Sequence, residues 1–476
     1  MNRSLRQPAV LAIAALFVLF LAARVALLLG GKVFTAPDSW VYAPQEDPAR
    51  NLGPLVSFIG NAPRPWGLPA FYALFPDDAA RTVGQWVVGT IAWAAFAWEI
   101  SRLMRSSIAR FLACAALLTL GAMNTVASWD FAILTESMSI SLGLIAITLF
   151  IRWFRLGKVG YLAGAVLVTI WWTFIRPDIR LFTMVLIALL GLYGIRLVRR
   201  GESLLRGRPL QAAVASVLLI GSLGWYAAIT PSMMERFKAY DGDALPVNPL
   251  SLDEELFVHR LRVITFTDPA LLQVFHTDLG MPSCPDTERF ATRSDWATVE
   301  FAQAYVGCPD MVAWGKEHDH DFWGTLAAAN PQAFSSKVLE LTSYTLGGQV
   351  YASAPQVVPA VAERMMFPSR QYGLPIALAG IGLATALALV VGARRRHRFA
   401  LSTGVLLGGT AIASAGAAVI LGTGEFARFG IQETVASRLA VIILVCVALD
   451  LLVERRTPTP APQTENEPEA VSSAAG

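Results

Sequence analysis

The chain alternates long apolar stretches with short polar connections. A transmembrane helix needs about 20 mainly apolar residues. Proline cannot continue a helix and charges are costly in hydrocarbon, so the break Arg176-Pro177-Asp178 predicts two spans joined by a tight turn. The pattern therefore predicts an all-α polytopic membrane protein with about ten transmembrane helices. The predicted spans are 8–30, 82–103, 108–128, 134–154, 160–175, 179–198, 209–229, 373–393, 399–422 and 434–453.

Basic residues fall on alternate connections between these stretches. By the positive-inside rule, the basic connections and both termini lie in the cytoplasm of a cell (plasma or inner) membrane. The first stretch is too long for the apolar region of a secretory signal, so we expect a retained helix. The basic clusters are Arg3/Arg6, Arg102/Arg105/Arg110, Arg152/Arg155/Lys158, Arg196/Arg199/Arg200/Arg206/Arg208, Arg394/Arg395/Arg396/Arg398 and Arg455/Arg456.

These positions divide the chain into four parts. Residues 1–230 form an N-terminal membrane module, whose first outer loop is 31–81. Residues 231–371 contain aromatic side chains and helical apolar spacing, which predicts a small, mainly helical extracytoplasmic domain. Residues 372–456 form a C-terminal membrane module. The tail 457–476 is rich in Pro, Glu, Ser and Ala and is predicted to be disordered.

Composition agrees with a membrane protein. Of 476 residues, 55% are hydrophobic and 15% are charged, with a mean hydropathy of +0.51. Soluble domains carry about 25% charged residues, so a soluble enzyme, a fibrous protein and a disordered protein are excluded. Residues 231–371 hold 18 Asp and Glu against 10 Lys and Arg, or −8, which leaves +11 elsewhere because the whole chain carries +3. Membrane topology accounts for this asymmetry, and no nucleic-acid partner is expected.

Two of the four cysteines lie in the predicted outer domain. Cys284 and Cys308 each begin a Cys-Pro-Asp triplet, whereas Cys114 and Cys446 lie in predicted spans. An oxidising exterior favours a Cys284–Cys308 disulfide, with two free thiols as the alternative.

Ionisable and aromatic residues recur at the outer ends of the spans. If the helices bundle, these groups can converge on one polar pocket at the outer membrane surface. Alternatively, each is an interfacial anchor or a surface ion pair. The candidates are Asp38, Tyr42, Arg64, Trp66, Asp130, Glu136, Arg176, Asp178, Glu425 and Arg428.

Four local motifs resemble those of the GT-C class of polytopic glycosyltransferases, which includes protein O-mannosyltransferases, aminoarabinose transferases and arabinosyltransferases. Asp38-Ser39-x-x-Tyr42 is similar to its Asp-Ser-x-x-Tyr motif, and Arg64 to Pro69 resembles its Arg-x-Pro-Gly-Tyr-Pro stretch. Leu134-Thr135-Glu136-Ser137 resembles the start of its fourth helix, and Ile175 to Asp178 its Arg-Pro turn. The resemblance covers about residues 8–200 at the level of motifs.

The resemblance implies a sugar donor linked to polyprenyl phosphate and an acceptor that is a cell-envelope glycan, lipid or protein. It implies that Asp38 is the general base, since a carboxylate can take the proton of an acceptor hydroxyl, and that Glu136 is a second catalytic residue. Which acid assists Asp38 is left open. Arg176, Arg428 and Arg64 would bind the donor phosphate. Tyr42, Trp66, Asp130 and Asp178 would line the substrate pocket. No cofactor is certain, and a divalent cation (Mg, Mn or Ca) is left open.

The chain departs from the family at two places. Trp66 stands where the family often has Pro or Gly, and Asp38 has no adjacent acid. Three other readings remain: a transporter or flippase, a ligase or polymerase of lipid-linked glycans, and a scaffold with a sensing outer domain. Arg24, inside the first span, is the one feature that favours transport, although a residue so near the outer end can snorkel to the interface.

Reporter fusions test the predicted topology. Alkaline phosphatase, which needs an oxidising exterior, should be active when fused after Asp286 and inactive when fused after Arg200. The reverse pattern would contradict the orientation.

Overall fold

The computed structural model of the protein describes residues 3–36, 39–42, 58–244, 250–291, 293, 297–318, 321–350, 352–391, 397–422, 424 and 426–456. Asp38, Glu425 and the tail 457–476 lie outside these residues, so the predictions made for them stay predictions. The part described is helical throughout, and its single β-type pairing is an isolated parallel bridge between Phe34 and Ala132.

The membrane part consists mainly of long helices, and two consecutive helices in it meet at a sharp bend. Its helices are α1 (Arg3–Gly30), α2 (Gly67–Tyr72), α3 (Asp78–Ser101), α4 (Ser107–Ala122), α5 (Asn124–Ala127), α6 (Glu136–Leu156), α7 (Val159–Thr173), α8 (Ile179–Val198) and α9 (Gly207–Ala244). After the outer segment follow α18 (Gly373–Val390), α19 (Arg398–Leu421), α20 (Phe426–Phe429) and α21 (Ile431–Arg456). Helices α6 and α21 are central, with 72% and 78% of their apolar windows buried, against 17% for α1.

Among the described residues, seven helices are long and apolar enough to cross a membrane. The pair α4 and Asn124–Phe131, bent by 55°, would be an eighth span. Helix α7 is apolar but has only 15 residues, and α3 is 24 residues long but includes Gln85 and Glu99. The chain is therefore a polytopic helical membrane protein, while the number of ten spans stays a prediction. The seven are Val10–Gly30, Glu136–Leu156, Ile179–Val198, Gly207–Arg236, Arg370–Val390, Arg398–Leu421 and Ile431–Glu454.

The predicted break in the long apolar run is confirmed. Helix α7 ends at Thr173 and α8 begins at Ile179, so Arg176, Pro177 and Asp178 form the turn between them. Pro177 cannot supply the backbone N–H that a continuing helix requires. The turn places the two charged side chains at the ends of both helices.

Helix α9 runs past the predicted domain boundary at residue 230. Pro231 lies inside it, and the hydroxyls of Thr230 and Ser232 bond the carbonyls of Tyr226 and Ile229 at 2.8 and 3.0 Å. Side-chain hydroxyls that satisfy backbone groups allow a helix to tolerate proline. The membrane helix thus extends into the segment assigned to the outer domain.

The segment predicted to lie outside the membrane, here called the outer segment, is helical as predicted, and its short helices pack around a core of their own. The side of the membrane on which it lies stays a prediction. Aromatic side chains such as Phe257, Phe275 and Trp314 are buried in that core, which Val419 and Phe426 of the membrane part also enter. Its helices are α10 (Leu252–Arg260), α11 (Pro269–Thr277), α12 (Pro285–Glu288), α13 (Thr298–Val306), α14 (Pro309–His318), α15 (Phe322–Ala329), α16 (Pro331–Thr345) and α17 (Ala360–Met366).

The outer segment is attached to the membrane helices by specific polar contacts. The Arg260 guanidinium donates to the carbonyls of Gly422 and Leu421 at 3.1 and 3.3 Å. The Glu363 carboxylate accepts from the backbone N–H and the hydroxyl of Thr125 at 2.5 and 2.7 Å. Glu363 thus satisfies an unpaired amide at the start of α5, where the helix α4 has broken.

The disulfide Cys284–Cys308 is confirmed, and it closes a loop with a sequence separation of 24. A loop of this size contributes about 3 kcal/mol in the chain-entropy model. Reducing agent should therefore lower the unfolding temperature of the wild type but not that of a Cys284→Ser/Cys308→Ser variant, measured by differential scanning fluorimetry. A wild type that is insensitive to reduction would contradict this contribution.

Candidate functional site

A buried carboxylate and two arginines from distant parts of the chain form the centre of the site. Glu136 is the first residue of α6 and is 0% exposed. Its Oε1 lies 3.0 Å from NH1 of Arg176 and accepts from Nε of Arg428 at 3.1 Å. A helix N-terminus favours a negative charge, and the two guanidinium groups neutralise it further.

Arg176 is engaged almost entirely by the protein. Its Nε and NH2 donate to Asp178 at 3.0 and 2.8 Å, and NH2 also donates to the carbonyl of Phe429 at 2.8 Å. Burial by itself lowers the pKa of Arg176, but the negative charges of Asp178 and Glu136 outweigh it and raise the pKa. The guanidinium therefore stays charged and joins the turn after α7 to α20.

Phe429 brings the two arginines to one aromatic ring. The guanidinium carbons of Arg176 and Arg428 lie 5.6 and 5.5 Å from its centroid. Gly430 follows, and a Cβ there would lie 2.2 Å from the carbonyl oxygen of Thr345. Close packing of this glycine on α16 therefore fixes the position of α20, which carries Arg428.

A second polar layer extends the cluster towards α21, and the sequence reasoning missed it. The Gln432 amide donates to Asp178 at 3.3 Å and to Glu433 at 3.2 Å. Glu433 is 0% exposed and accepts from the Ser414 hydroxyl at 2.7 Å, while its Oε2 has no hydrogen-bond partner among the described residues. The predicted span begins at residue 434, so Gln432 and Glu433 lie just outside the apolar pattern that predicts it.

The first outer loop packs against the residues that lead into Glu136. The Ser39 hydroxyl donates to the carbonyl of Ile133 at 2.8 Å and accepts from the N–H of Ala36 at 2.8 Å. The backbone of Phe34 also bonds Phe131 and Ile133 at 2.8 and 2.9 Å. The described residues on both sides of Asp38 are thus hydrogen-bonded to Phe131 and Ile133, five and three positions before Glu136. Asp38 itself lies outside the described residues.

Tyr42 and Arg64 contact each other, since the Arg64 guanidinium carbon lies 5.6 Å from the Tyr42 ring centroid. Both are electrostatic neighbours of Tyr226 on α9, as is Asp178.

Tyr72 is a further residue of this region that the sequence did not predict, and Glu136 and Tyr42 are its electrostatic neighbours. Burial, and after it the charge of Glu136, raise the pKa of Tyr72, so its hydroxyl stays neutral.

Trp66 belongs to a stack of aromatic rings beside this group. Its ring centroid lies 4.4 Å from that of Phe58, 5.1 Å from Phe174 and 5.9 Å from Trp225. The next residue, Gly67, donates its N–H to the carbonyl of Phe174 at 3.1 Å, and a Cβ at Gly67 would lie 2.5 Å from that oxygen. The loop therefore lies directly on the turn that carries Arg176.

Asp130, predicted to line the substrate pocket, is paired with a residue of the first helix. Its carboxylate pairs with Arg24 and accepts from the Ser137 hydroxyl at 2.5 Å. The Arg24 guanidinium also donates to Thr90 Oγ1 at 3.0 Å and to the carbonyl of Gly121 at 3.2 Å. Arg24 is 1% exposed, so its side chain lies inside the helix bundle. The pair connects the first span to the bent pair, α3 and α6.

An apolar cavity of about 360 Å³ lies between α6, α8 and α19. A smaller cavity of about 30 Å³ beside it is lined by Ser139 and Gln432, and Gln432 bonds Asp178 of the cluster. Along α8 the cavity extends from Phe182 to Arg196, or about 21 Å at 1.5 Å per residue. The residues that line both cavities are Ile147, Trp172, Phe182 and Leu407.

The described residues hold no group of three or more His, Cys, Asp or Glu side chains that could bind a metal ion. Asp178 and Glu136 are instead neutralised by arginine. The divalent cation therefore stays an untested expectation, and the chemistry of the cluster is that of carboxylates fixed by guanidinium groups.

Arg24→Leu should leave the Asp130 charge buried without its partner and lower the free energy of unfolding by about 3–5 kcal/mol. The double variant Arg24→Leu/Asp130→Leu should recover much of this loss in denaturant titrations. Lys32→Leu, an exposed cation just beyond the same helix, is the matched control and should change stability by no more than about 0.5 kcal/mol. A double variant as unstable as the single one would contradict the pairing.

No protein-family model matches the chain, and no curated protein is significantly similar to it in sequence. What the site can do therefore follows from its residues alone. They provide fixed positive charge, buried carboxylates and an adjoining apolar cavity.

Proposed function

We propose that the protein is a membrane glycosyltransferase that moves a sugar from a polyprenyl-phosphate donor to a hydroxyl of a cell-envelope glycan, lipid or protein. The observation that carries this proposal is the buried cluster Arg176–Glu136–Arg428 near an apolar cavity, with Gln432 between them. A lipid-phosphate donor needs both parts, since its tail is apolar and its head is anionic. The four motifs that resemble the GT-C class support the same reading.

The apolar cavity supports binding of the donor tail. Its walls are mainly aliphatic and aromatic side chains, and it extends about 21 Å along α8. Removing an isoprenoid chain from water favours binding in proportion to the apolar area buried. Ser139 and Gln432 mark the end of the cavity nearest to the cluster, so the head of the donor would lie on this side.

The reaction forms one bond and breaks one. The acceptor oxygen bonds the anomeric carbon, and the bond from that carbon to the phosphate oxygen breaks, which releases polyprenyl phosphate. The hydroxyl proton passes to a carboxylate general base, for which Asp38 is the candidate that the resemblance implies. Positive charge near the departing phosphate stabilises the negative charge that develops there.

In this proposal Glu136 and Asp178 are positioning residues. Asp178 accepts from Arg176 and Glu136 accepts from Arg428, while Glu136 also forms an ion pair with NH1 of Arg176. The two carboxylates thus fix the guanidinium planes before substrate binds. Donors that are already oriented need no reorganisation during the reaction. Tyr42 follows Asp38 by four residues and contacts Arg64. Tyr42 and Arg64 would therefore line the side of the pocket near Asp38.

The transporter alternative rests on Arg24. This residue is paired with Asp130 and bonded to three further groups of the protein. A pair this deeply buried fits a structural role in helix packing better than a cargo site.

Asp38→Asn should lower transfer of radiolabelled sugar from polyprenyl phosphate to membrane acceptors by about 10²-fold or more, because amide nitrogen cannot accept the hydroxyl proton. Asp286→Asn, an exposed acid of the outer segment, is the matched control and should keep full activity. Both variants should be compared at equal amounts of folded protein, with hexosyl and pentosyl donors.

Full activity of Asp38→Asn would remove Asp38 as the base. Absence of transfer by the wild type with every polyprenyl-phosphate sugar would contradict the proposed function itself.

A further inference from the structure

The arginines at the centre of the cluster are occupied by protein groups. Nε and NH2 of Arg176 donate to Asp178 and to the Phe429 carbonyl, while NH1 faces Glu136. Arg428 is bonded to the same carboxylate oxygen of Glu136. A phosphate that approached this cluster would have to compete with these carboxylates, so other donors are needed to bind it.

Arg180 adds donors beside this cluster, away from its buried carboxylates. It lies in the first turn of α8, and its Nε donates to the Pro177 carbonyl at 2.7 Å. Among the described residues, its two terminal nitrogens have no hydrogen-bond partner, and the side chain is only partly buried. A guanidinium presents two parallel N–H groups that match phosphate oxygens.

Tyr226 holds this guanidinium in place. The Arg180 guanidinium carbon lies 5.0 Å from the centroid of the Tyr226 ring. Tyr226 is 4% exposed, yet among the described residues its hydroxyl makes no hydrogen bond. Because this oxygen is not fully enclosed by protein atoms, the hydroxyl can donate to or accept from a ligand at this point.

The groups around Tyr226 define the charge of this location. Its electrostatic neighbours are Arg180, Asp178, Arg64 and Tyr42. Asp178 is already paired with Arg176, so it does not neutralise Arg180. Arg180 lies in the first turn of its helix, where the helix N-terminus favours an anion as well.

We infer that the Arg180 guanidinium and the Tyr226 hydroxyl bind the phosphate of the lipid donor. This inference rests on the proposed function and assigns its phosphate contacts to residues outside the central cluster. Arg176 and Glu136 then act as positioning residues, because they fix the turn that leads into Arg180. The aromatic stack of Trp66, Phe174 and Trp225 borders the same location and offers an apolar surface.

The test compares three probes on the full chain in lipid nanodiscs: polyprenyl phosphate, the corresponding polyprenol and inorganic phosphate. The wild type should bind polyprenyl phosphate more tightly than polyprenol, and inorganic phosphate should compete only weakly because it lacks the tail. Arg180→Ala should weaken binding of polyprenyl phosphate by about tenfold to a hundredfold and leave polyprenol binding unchanged. Arg180→Lys should recover part of the loss, since it restores charge without the planar fork.

Tyr226→Phe removes one hydroxyl and keeps the ring under Arg180. It should weaken binding of polyprenyl phosphate by about three- to tenfold, again without an effect on polyprenol. The matched controls are Arg199→Ala, at the far end of α8, and Tyr161→Phe, on α7, and both should bind like the wild type. Unfolding temperatures identify any variant that fails to fold. If Arg180→Ala fails to fold, Tyr226→Phe still tests the inference.

The outcomes separate the two proposals. A wild type that prefers polyprenyl phosphate, with Arg180→Ala and Tyr226→Phe unchanged, would overturn this inference and leave the proposed function standing. A wild type without any preference for the phosphate over polyprenol would overturn both. Equal loss of polyprenol and polyprenyl phosphate binding in the variants would also overturn the inference, because it would show a general packing defect.

Discussion

The structure depends on one constraint: a charge withdrawn from water must be neutralised by a partner within the protein. Glu136 satisfies it with Arg176 and Arg428, and Asp130 satisfies it with Arg24. These partners come from the first helix, the bent pair, the start of α6, the turn after α7 and the short helix α20. Since an unpaired buried charge costs several kcal/mol, the ion pairs select one arrangement of these helices from the many that apolar packing would allow.

Local patterns in the sequence predicted the local features. The apolar stretches predicted the helices, Arg176-Pro177-Asp178 predicted the turn, and the paired Cys-Pro-Asp triplets predicted the disulfide. The sequence also predicted that Glu136, Arg176, Asp178 and Arg428 could converge, which they do. It did not predict that Asp130 pairs with Arg24, or that Gln432 and Glu433 extend the cluster. Those contacts join residues 100 or more positions apart or lie just outside a predicted span, so no local periodicity reports them.

The outer segment and the membrane cluster are mechanically connected. Phe426 is buried in the core of the outer segment, and Arg428, two residues later, bonds Glu136. Arg260 binds the backbone at the end of α19, and Gly430 packs on Thr345. A shift of the outer segment would therefore move α20 and change the geometry of Arg428. An acceptor bound to the outer segment would in this way influence the group that contacts Glu136.

The Arg24–Asp130 pair also constrains how the protein is made. The two residues are separated by 106 positions, so the first helix leaves the ribosome well before its counterion exists. At a synthesis rate of about 5–20 residues per second, that interval is roughly 5–20 s. An unpaired arginine costs about 2.5–3.5 kcal/mol at the centre of a membrane helix on translocon scales, and less near an end, where Arg24 lies. Until Asp130 is made, the Arg24 charge is accommodated best at the headgroups, so its burial in the bundle is coupled to the arrival of the later helices.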